Sequence, residues 1–172
     1  MLENKWHLAQ DTEDAKVTDF ELQLWRLYNG FIRWQEQCEQ VLNATNLTGN
    51  DLSVLHIIRM KNKAKTAYEI SWLLNRDDSF GIAYSIKKLL KMNFIAKTKS
   101  SDGKRNIRYE ITENGIKNTD LYTKIRKQIL VSIFNKEDNV NLEEITKALA
   151  LVKSMYDEAT HTMLAFNKCS MV

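Results

Sequence analysis

The chain has no proline and only five glycines in 172 residues. Proline breaks or kinks a helix and interior glycine weakens one, so little in the composition interrupts long helices. The only cysteines, Cys38 and Cys169, form no paired motif. They imply neither a disulfide framework nor a thiolate metal site, and reduced thiols fit a cytoplasmic protein. No apolar run approaches the roughly 20 residues that span a bilayer, and no secretory leader is present. His7, His56 and His161 are far apart and have no ligand spacing. No Ser-His-Asp, HExxH, GxGxxG or Walker-type pattern occurs. The expectation is a protein that is no enzyme and holds no cofactor and no metal.

What is present is apolar content of 44%, enough for a core, and a net charge of +3 that is unevenly spread. Lys87 to Arg108 contains eight Lys/Arg against Asp102 alone. Met1 to Glu21 contains six acidic residues and two lysines, and Asn135 to Glu158 six acidic residues and three lysines. A basic segment between acidic flanks is the footprint of a polyanion partner.

Thr18-Asp-Phe-Glu21 has the form of a capping box, in which the hydroxyl accepts from a free backbone N–H and the glutamate reaches back. It predicts that the first helix starts at Thr18, after a polar arm whose Trp6 and Leu8 can dock on the body. Phe20, Leu24, Leu27, Phe31, Trp34, Cys38 and Val41 then recur at helical spacing. Trp25, Tyr28 and Ile32 widen this stripe, which suggests burial on more than one side. Thr48-Gly-Asn-Asp51 starts a second helix with Leu52, Leu55 and Ile58 in the core and Val54 and Ile57 on the flank. Thr66-Ala-Tyr-Glu69 starts a third, with Ala67, Ile70, Leu73 and Leu74 inward. After the polar turn Asn75 to Ser79 comes a fourth, from Ser79 to Met92, with Ile82, Ile86, Leu89 and Leu90 inward.

The period then changes. Phe94 to Lys99 reads as extended, Asp102-Gly103 is a turn signal, and Asn106 to Ile111 alternates polar and apolar. This predicts a β-hairpin whose tip and outer face carry Lys97, Lys99, Lys104, Arg105 and Arg108. Helices return at Asn114 to Phe134 and from about Asn141. In the last, Leu142, Ile145, Leu149, Val152, Tyr156, Ala159 and Met163 form a seam of alternating three- and four-residue steps, suited to packing lengthwise on another helix. The fold class is mainly α with a small β-hairpin wing.

Two short helices across a tight turn make a helix-turn-helix, whose second helix fits a major groove about 12 Å wide. Its outward face offers Ser79, Phe80, Ala83, Tyr84, Lys87 and Lys88. Ser79 can bond to a base or phosphate, Phe80 and Ala83 can touch a thymine methyl, and Tyr84, Lys87 and Lys88 suit phosphates. The hairpin's basic residues suit the flanking backbone or the minor groove. Thr66, opening the third helix, joins this candidate DNA-binding set. The bland alternative is a solvated face that happens to be basic. Against it stand the basic hairpin directly after the candidate helix, the clean apolar face and the acidic flanks. Asp77-Asp78 reads as a helix cap rather than a catalytic pair, because adjacent helical residues do not face each other. His56 is expected to pack inward from the second helix or to cap it.

Residues 48–115 resemble the winged-helix core of MarR-type bacterial transcription regulators. The match runs through Leu47-Thr-Gly-Asn-Asp-Leu-Ser-Val-Leu55, Tyr68-Glu-Ile-Ser-Trp-Leu-Leu74, Ile86-Lys-Lys-Leu-Leu-Lys-Met-Asn-Phe-Ile95, Asp102-Gly-Lys-Arg105 and Ile111-Thr-Glu-Asn-Gly115. Residues 7–95, with His7-Leu-Ala-Gln10 and Phe20 to Trp34, resemble a MarR-like branch of predicted regulators. The resemblance implies a winged helix-turn-helix core flanked by long dimerisation helices: an arm at 1–17, a dimerisation and core helix at 18–46, the DNA-binding domain at 47–112, C-terminal dimerisation helices at 113–165 and a frayed tail at 166–172. It implies a homodimeric, sequence-specific regulator of double-stranded DNA, cytoplasmic and nucleoid-associated when bound. The other reading is a winged-helix dimer that serves as a protein-interaction module. MarR-type wings often carry Asp-x-Arg, the arginine entering the minor groove; here either Lys104 or Arg105 fills that place. The resemblance also makes Trp25, Tyr28, Phe31 and Trp34 candidates for a small aromatic effector, against plain core packing. It makes Cys38 a candidate redox sensor, against the buried, inert thiol that its apolar face predicts.

Overall fold

Asp11 opens the first helix. Its Oδ1 accepts from the backbone N–H of Glu13 at 2.8 Å and of Asp14 at 2.9 Å. Helix α1 therefore spans Thr12–Asn43, starting six residues before the Thr18 box. No proline or glycine breaks the stretch from 12 to 17, and Glu13 and Asp14 suit the positive end of the helix dipole. Thr18 lies buried inside the helix. The computed structural model describes residues 6–9, 11–99 and 107–169. Trp6, ahead of the helix, meets Trp25 edge-to-face with ring centroids 6.1 Å apart.

Both downstream capping boxes form. Thr48 caps α2 (Gly49–Arg59) and shares two bonds with Asp51; Thr66 caps α3 (Ala67–Leu73) and does the same with Glu69. Helix α4 spans Ser79–Lys91. Asn75 and Asn93 take positive φ, 52° and 56°, after α3 and α4, a conformation that asparagine tolerates where a helix must stop. Leu47, Leu52, Val54, Leu55, Ile58, Ile70, Ile82, Ile86, Leu89, Phe94 and Ile95 form one buried cluster, with Ile57, Leu74, Leu90, Tyr109 and Ile111 packed on it. Two residues expected inward on α3 are not: Ala67 and Leu73 are exposed. A seven-residue helix buries a narrow stripe, and Ile70 and Leu74 fill it.

Strands β1 (Ile95–Lys99) and β2 (Ile107–Ile111) pair antiparallel, with Ile95 opposite Ile111 and Lys97 opposite Tyr109. The free edge of β2 is bridged by Lys65, whose backbone exchanges two hydrogen bonds with Tyr109, at 3.0 and 2.8 Å. The Lys65 side chain turns inward and its Nζ donates to the carbonyls of Ile58, Met60 and Lys63. It thereby satisfies carbonyls at the end of α2 and in the short 3₁₀ turn Met60–Asn62. Burial pushes this ammonium below the ordinary lysine range.

Helix α5 (Glu113–Arg126) starts at Thr112, whose hydroxyl accepts from Gly115 N–H and donates to the Asn93 carbonyl at 2.7 Å. Gly115 passes so close to β1 that a Cβ there would lie 2.1 Å from the Phe94 carbonyl oxygen. Polar residues tie α1, α2 and α5 together. Buried Glu39 accepts from Asn43, Thr45 and Asn118, Arg59 reaches Thr119 and Asp120, and His56 lies against Tyr122 at 4.9 Å. Burial, with Arg59 nearby, lowers the His56 pKa.

These elements form one unit, Met1–Arg126; Lys127–Val172 form a second. The stretch expected as one helix from Asn114 to Phe134 is helical throughout, in three consecutive segments. Helix α5 ends at Arg126, and the second unit begins with a π-helical turn, Lys127–Val131, and the short α6, Ser132–Phe134. Ile129, Val131 and Ile133 are β-branched, which lowers helix propensity at this point. Helix α7 (Leu142–Cys169) is capped by Asn141 Oδ1, which accepts from Glu143 and Glu144. The helix continues to Cys169, past the Phe166 at which fraying was expected. Among the described residues no helix is long and apolar enough to cross a membrane.

Candidate nucleic-acid interface

The candidate interface is built on α4. Ile82, Ile86 and Leu89 anchor one face in the core. The helical period then forces Ser79, Phe80, Ala83, Tyr84 and Lys87 outward, and all five are exposed. Asp78 caps the helix, its Oδ1 accepting from Gly81 N–H at 2.8 Å and its Oδ2 from Arg76 at 3.0 Å. The bond from Gly81, with help from Arg76, holds the Asp78 carboxyl below the usual carboxylate range.

Lys88 faces a different environment. Its Nζ donates to Asp51 Oδ2 at 2.7 Å and to the Asn46 carbonyl at 2.8 Å, and the buried Ser85 hydroxyl donates to Asp51 Oδ1 at 2.7 Å. Burial alone would raise the Asp51 pKa. The bonds from Lys88, the Thr48 backbone, Ser85 and the Thr48 hydroxyl outweigh it and hold the carboxyl low. Asp51 thus caps α2 and clamps α4 in one position. Lys88, assigned from sequence to phosphate contact, is engaged within the chain as part of that clamp.

The strand register separates the hairpin's basic residues. Directly opposite residues share a face, so Lys97 and Lys99 lie with Tyr109 and Ile107, while Arg108 lies with Thr98 on the other face. Lys97 and Lys99 are exposed. Arg108 Nη1 donates to the Ala64 carbonyl at 2.9 Å and to Glu69 Oε2 at 3.0 Å. The one outer face expected to hold Lys97, Lys99 and Arg108 together does not form. Lys104 and Arg105 lie outside the described residues. The hydroxyl of Thr66 is taken up in capping, accepting from Glu69 N–H at 3.1 Å. The bond from the Thr66 backbone outweighs burial, and Arg108 adds to it, so the Glu69 carboxyl is lowered.

The effector candidates are spread along α1. Trp25, Tyr28 and Phe31 are about half exposed, while Trp34 is partly covered and its Nε1 is buried without a hydrogen-bond partner. Cys38 is buried, and burial together with Glu39 raises its thiol pKa, which disfavours the reactive thiolate. Sequence reasoning missed Lys65, Ser85 and Arg59. Each acts through partners distant in sequence, so no local pattern marks it.

Residues 47–115 match the family model of the winged helix DNA-binding domain. Known structures superimpose on most of the chain. A MarR family regulator from Neisseria meningitidis aligns with a TM-score of 0.67 at 16% identity, over 86% of this chain and 98% of that one. The fold is that of the MarR family regulators. The transcriptional regulator BldR from Sulfolobus solfataricus aligns with a TM-score of 0.65 at 19% identity, over 85% of this chain and 99% of that chain. A mutant MarR from E. coli complexed with operator DNA aligns with a TM-score of 0.55 at 18% identity, over 80% of this chain and 96% of that one. No curated protein matches the chain in sequence. In this MarR-type fold α3 and α4 form the helix-turn-helix and β1–β2 the wing.

Proposed function

We propose that the chain is a MarR-type transcription regulator that binds duplex DNA as a homodimer and recognises particular sequences. The observation that carries this reading is the exposed face of α4, Ser79 to Lys87, in a domain whose hairpin adds exposed Lys97 and Lys99. The helix would enter the major groove, and the lysines would lie along phosphates. The dimer is supported by the apolar seam of α7, where Leu142, Ile145, Leu149, Tyr156 and Met163 are all exposed in the single chain. Spacing by three and four places them on one stripe that a second helix can cover.

Selection of bound fragments from random duplex DNA tests the proposal. Enrichment of an inverted repeat, with half-sites one helical turn or a multiple apart, is the expected result. A pool that stays random after repeated selection would remove sequence recognition from the reading.

A further inference from the structure

Thirteen residues make up α4, and none of them is Arg, Asn, Gln, Asp or Glu. Arg reads guanine bidentately, Asn and Gln read adenine, and the carboxylates accept from cytosine N4. The helix therefore lacks the side chains that give most direct hydrogen-bonded readout. Lysine can bond to guanine, but Lys88 is held by Asp51 and the Asn46 carbonyl. Lys87 stands two turns from the helix start, behind the residues that reach the bases. The amino end of the helix is closed as well, because Asp78 occupies Gly81 N–H.

What the reading end does offer is apolar. Phe80 is 88% exposed and Tyr84 69% exposed. Ala83 and Tyr84, three and four residues after Phe80, are each its neighbours on the helix surface, on either side of it. On the preceding helix, α3, Tyr68 and Trp72 are also 78% and 71% exposed. Within the major groove the one apolar group on a base edge is the thymine C5-methyl.

Resting on the duplex-binding reading above, we infer that α4 selects its sites through thymine methyl groups, with Phe80 and Ala83 as the contacting residues. Its preferred half-sites are thymine-rich where the amino-terminal half of α4 meets the bases. Ser79 and Tyr84 flank this contact with hydroxyls for phosphate or base, and Lys87, Lys97 and Lys99 supply the charge that holds the protein on the duplex.

Deoxyuridine keeps every hydrogen-bonding group of thymine and lacks only the methyl, so it isolates this contact. Affinity is measured at one salt concentration for an A·T-rich duplex of about two helical turns and for its counterpart with deoxyuridine at every thymine. Removing a buried methyl group is worth about tenfold or more, so at least a tenfold weaker affinity for the uracil duplex is expected. The salt dependence should be the same for both. Phe80→Ala should bring the two affinities within about twofold of each other while leaving the melting temperature unchanged, since the ring is exposed. A double variant, Lys97→Ala with Lys99→Ala, should weaken both duplexes and preserve their ratio. Equal affinity of the wild type for both duplexes, with steep salt dependence, overturns methyl reading and leaves duplex binding intact. Absence of binding to either duplex at low salt overturns the duplex-binding reading itself, and the exposed aromatic residues of α3 and α4 would then belong to a protein partner.

Discussion

At the scale of single residues, the positions that matter most to this fold are those where one side chain answers two demands. Gly115 leaves room for the Phe94 carbonyl just where Thr112 caps α5. A methyl group there must displace backbone rather than a flexible side chain, so Gly115→Ala should cost about 2 kcal/mol in chemical denaturation. Asp51 caps α2 and clamps α4 through Ser85 and Lys88. Its carboxyl is lower in the folded than in the unfolded state, where it lies at about 3.9. The stability it adds is therefore present above that value and lost as pH falls through the folded pKa. Asp51→Asn should lower stability at neutral pH by about 2 kcal/mol and flatten the acid limb of the stability–pH curve. Denaturation followed from pH 7 down to about pH 2 checks both effects. The three Thr-x-x-Asp/Glu signals were all visible in sequence, and two of them cap helices. The third failed because Asp11, an equally good cap, lies upstream with no breaker between. Local pattern alone does not rank two competing caps.

At the scale of elements, the helical and strand periods located α2, α3, α4 and both strands with their core faces nearly as found. The wing's electrostatics were less legible. Basic residues could be counted along the hairpin, but which of them shared a face depended on register, and which were engaged depended on partners far away in sequence. Arg108 is tied to Glu69 on α3, 39 residues earlier. Lys97 and Lys99 remain exposed. These two classes of cation should separate in experiment. Lys97→Ala with Lys99→Ala should leave the melting temperature unchanged, weaken binding to all duplexes alike and reduce the log–log salt slope by roughly 0.9 for each phosphate no longer neutralised. Arg108→Ala should instead cost about 1 kcal/mol of stability, because it frees the wing from α3. A calorimetric scan beside a fluorescence-anisotropy titration distinguishes the two outcomes.

At the scale of the whole molecule, apolar surface remains that a single chain does not cover. On α1, Phe20, Trp25, Leu27, Tyr28, Phe31 and Val41 are each at least 40% exposed, and α7 exposes its own seam. The period of the first helix revealed an apolar stripe but not how much of it the chain itself would bury, since periodicity shows a face and not its partner. Apolar residues left exposed along each of these helices point to surfaces that a partner covers. Light scattering should accordingly give twice the 20.1 kDa chain mass at micromolar concentration. Charged substitutions on the α7 seam, such as Leu149→Glu with Tyr156→Glu, should lower the mass to that of one chain.

Duplex binding itself is most directly tested by titrating a labelled random duplex at several salt concentrations. Affinity should be measurable at low ionic strength and fall linearly on a log–log plot as salt rises from about 50 to 200 mM, with a slope of roughly −0.9 for each phosphate neutralised. No binding at the lowest salt, or binding indifferent to salt, would contradict the assignment of α4 and the wing to DNA.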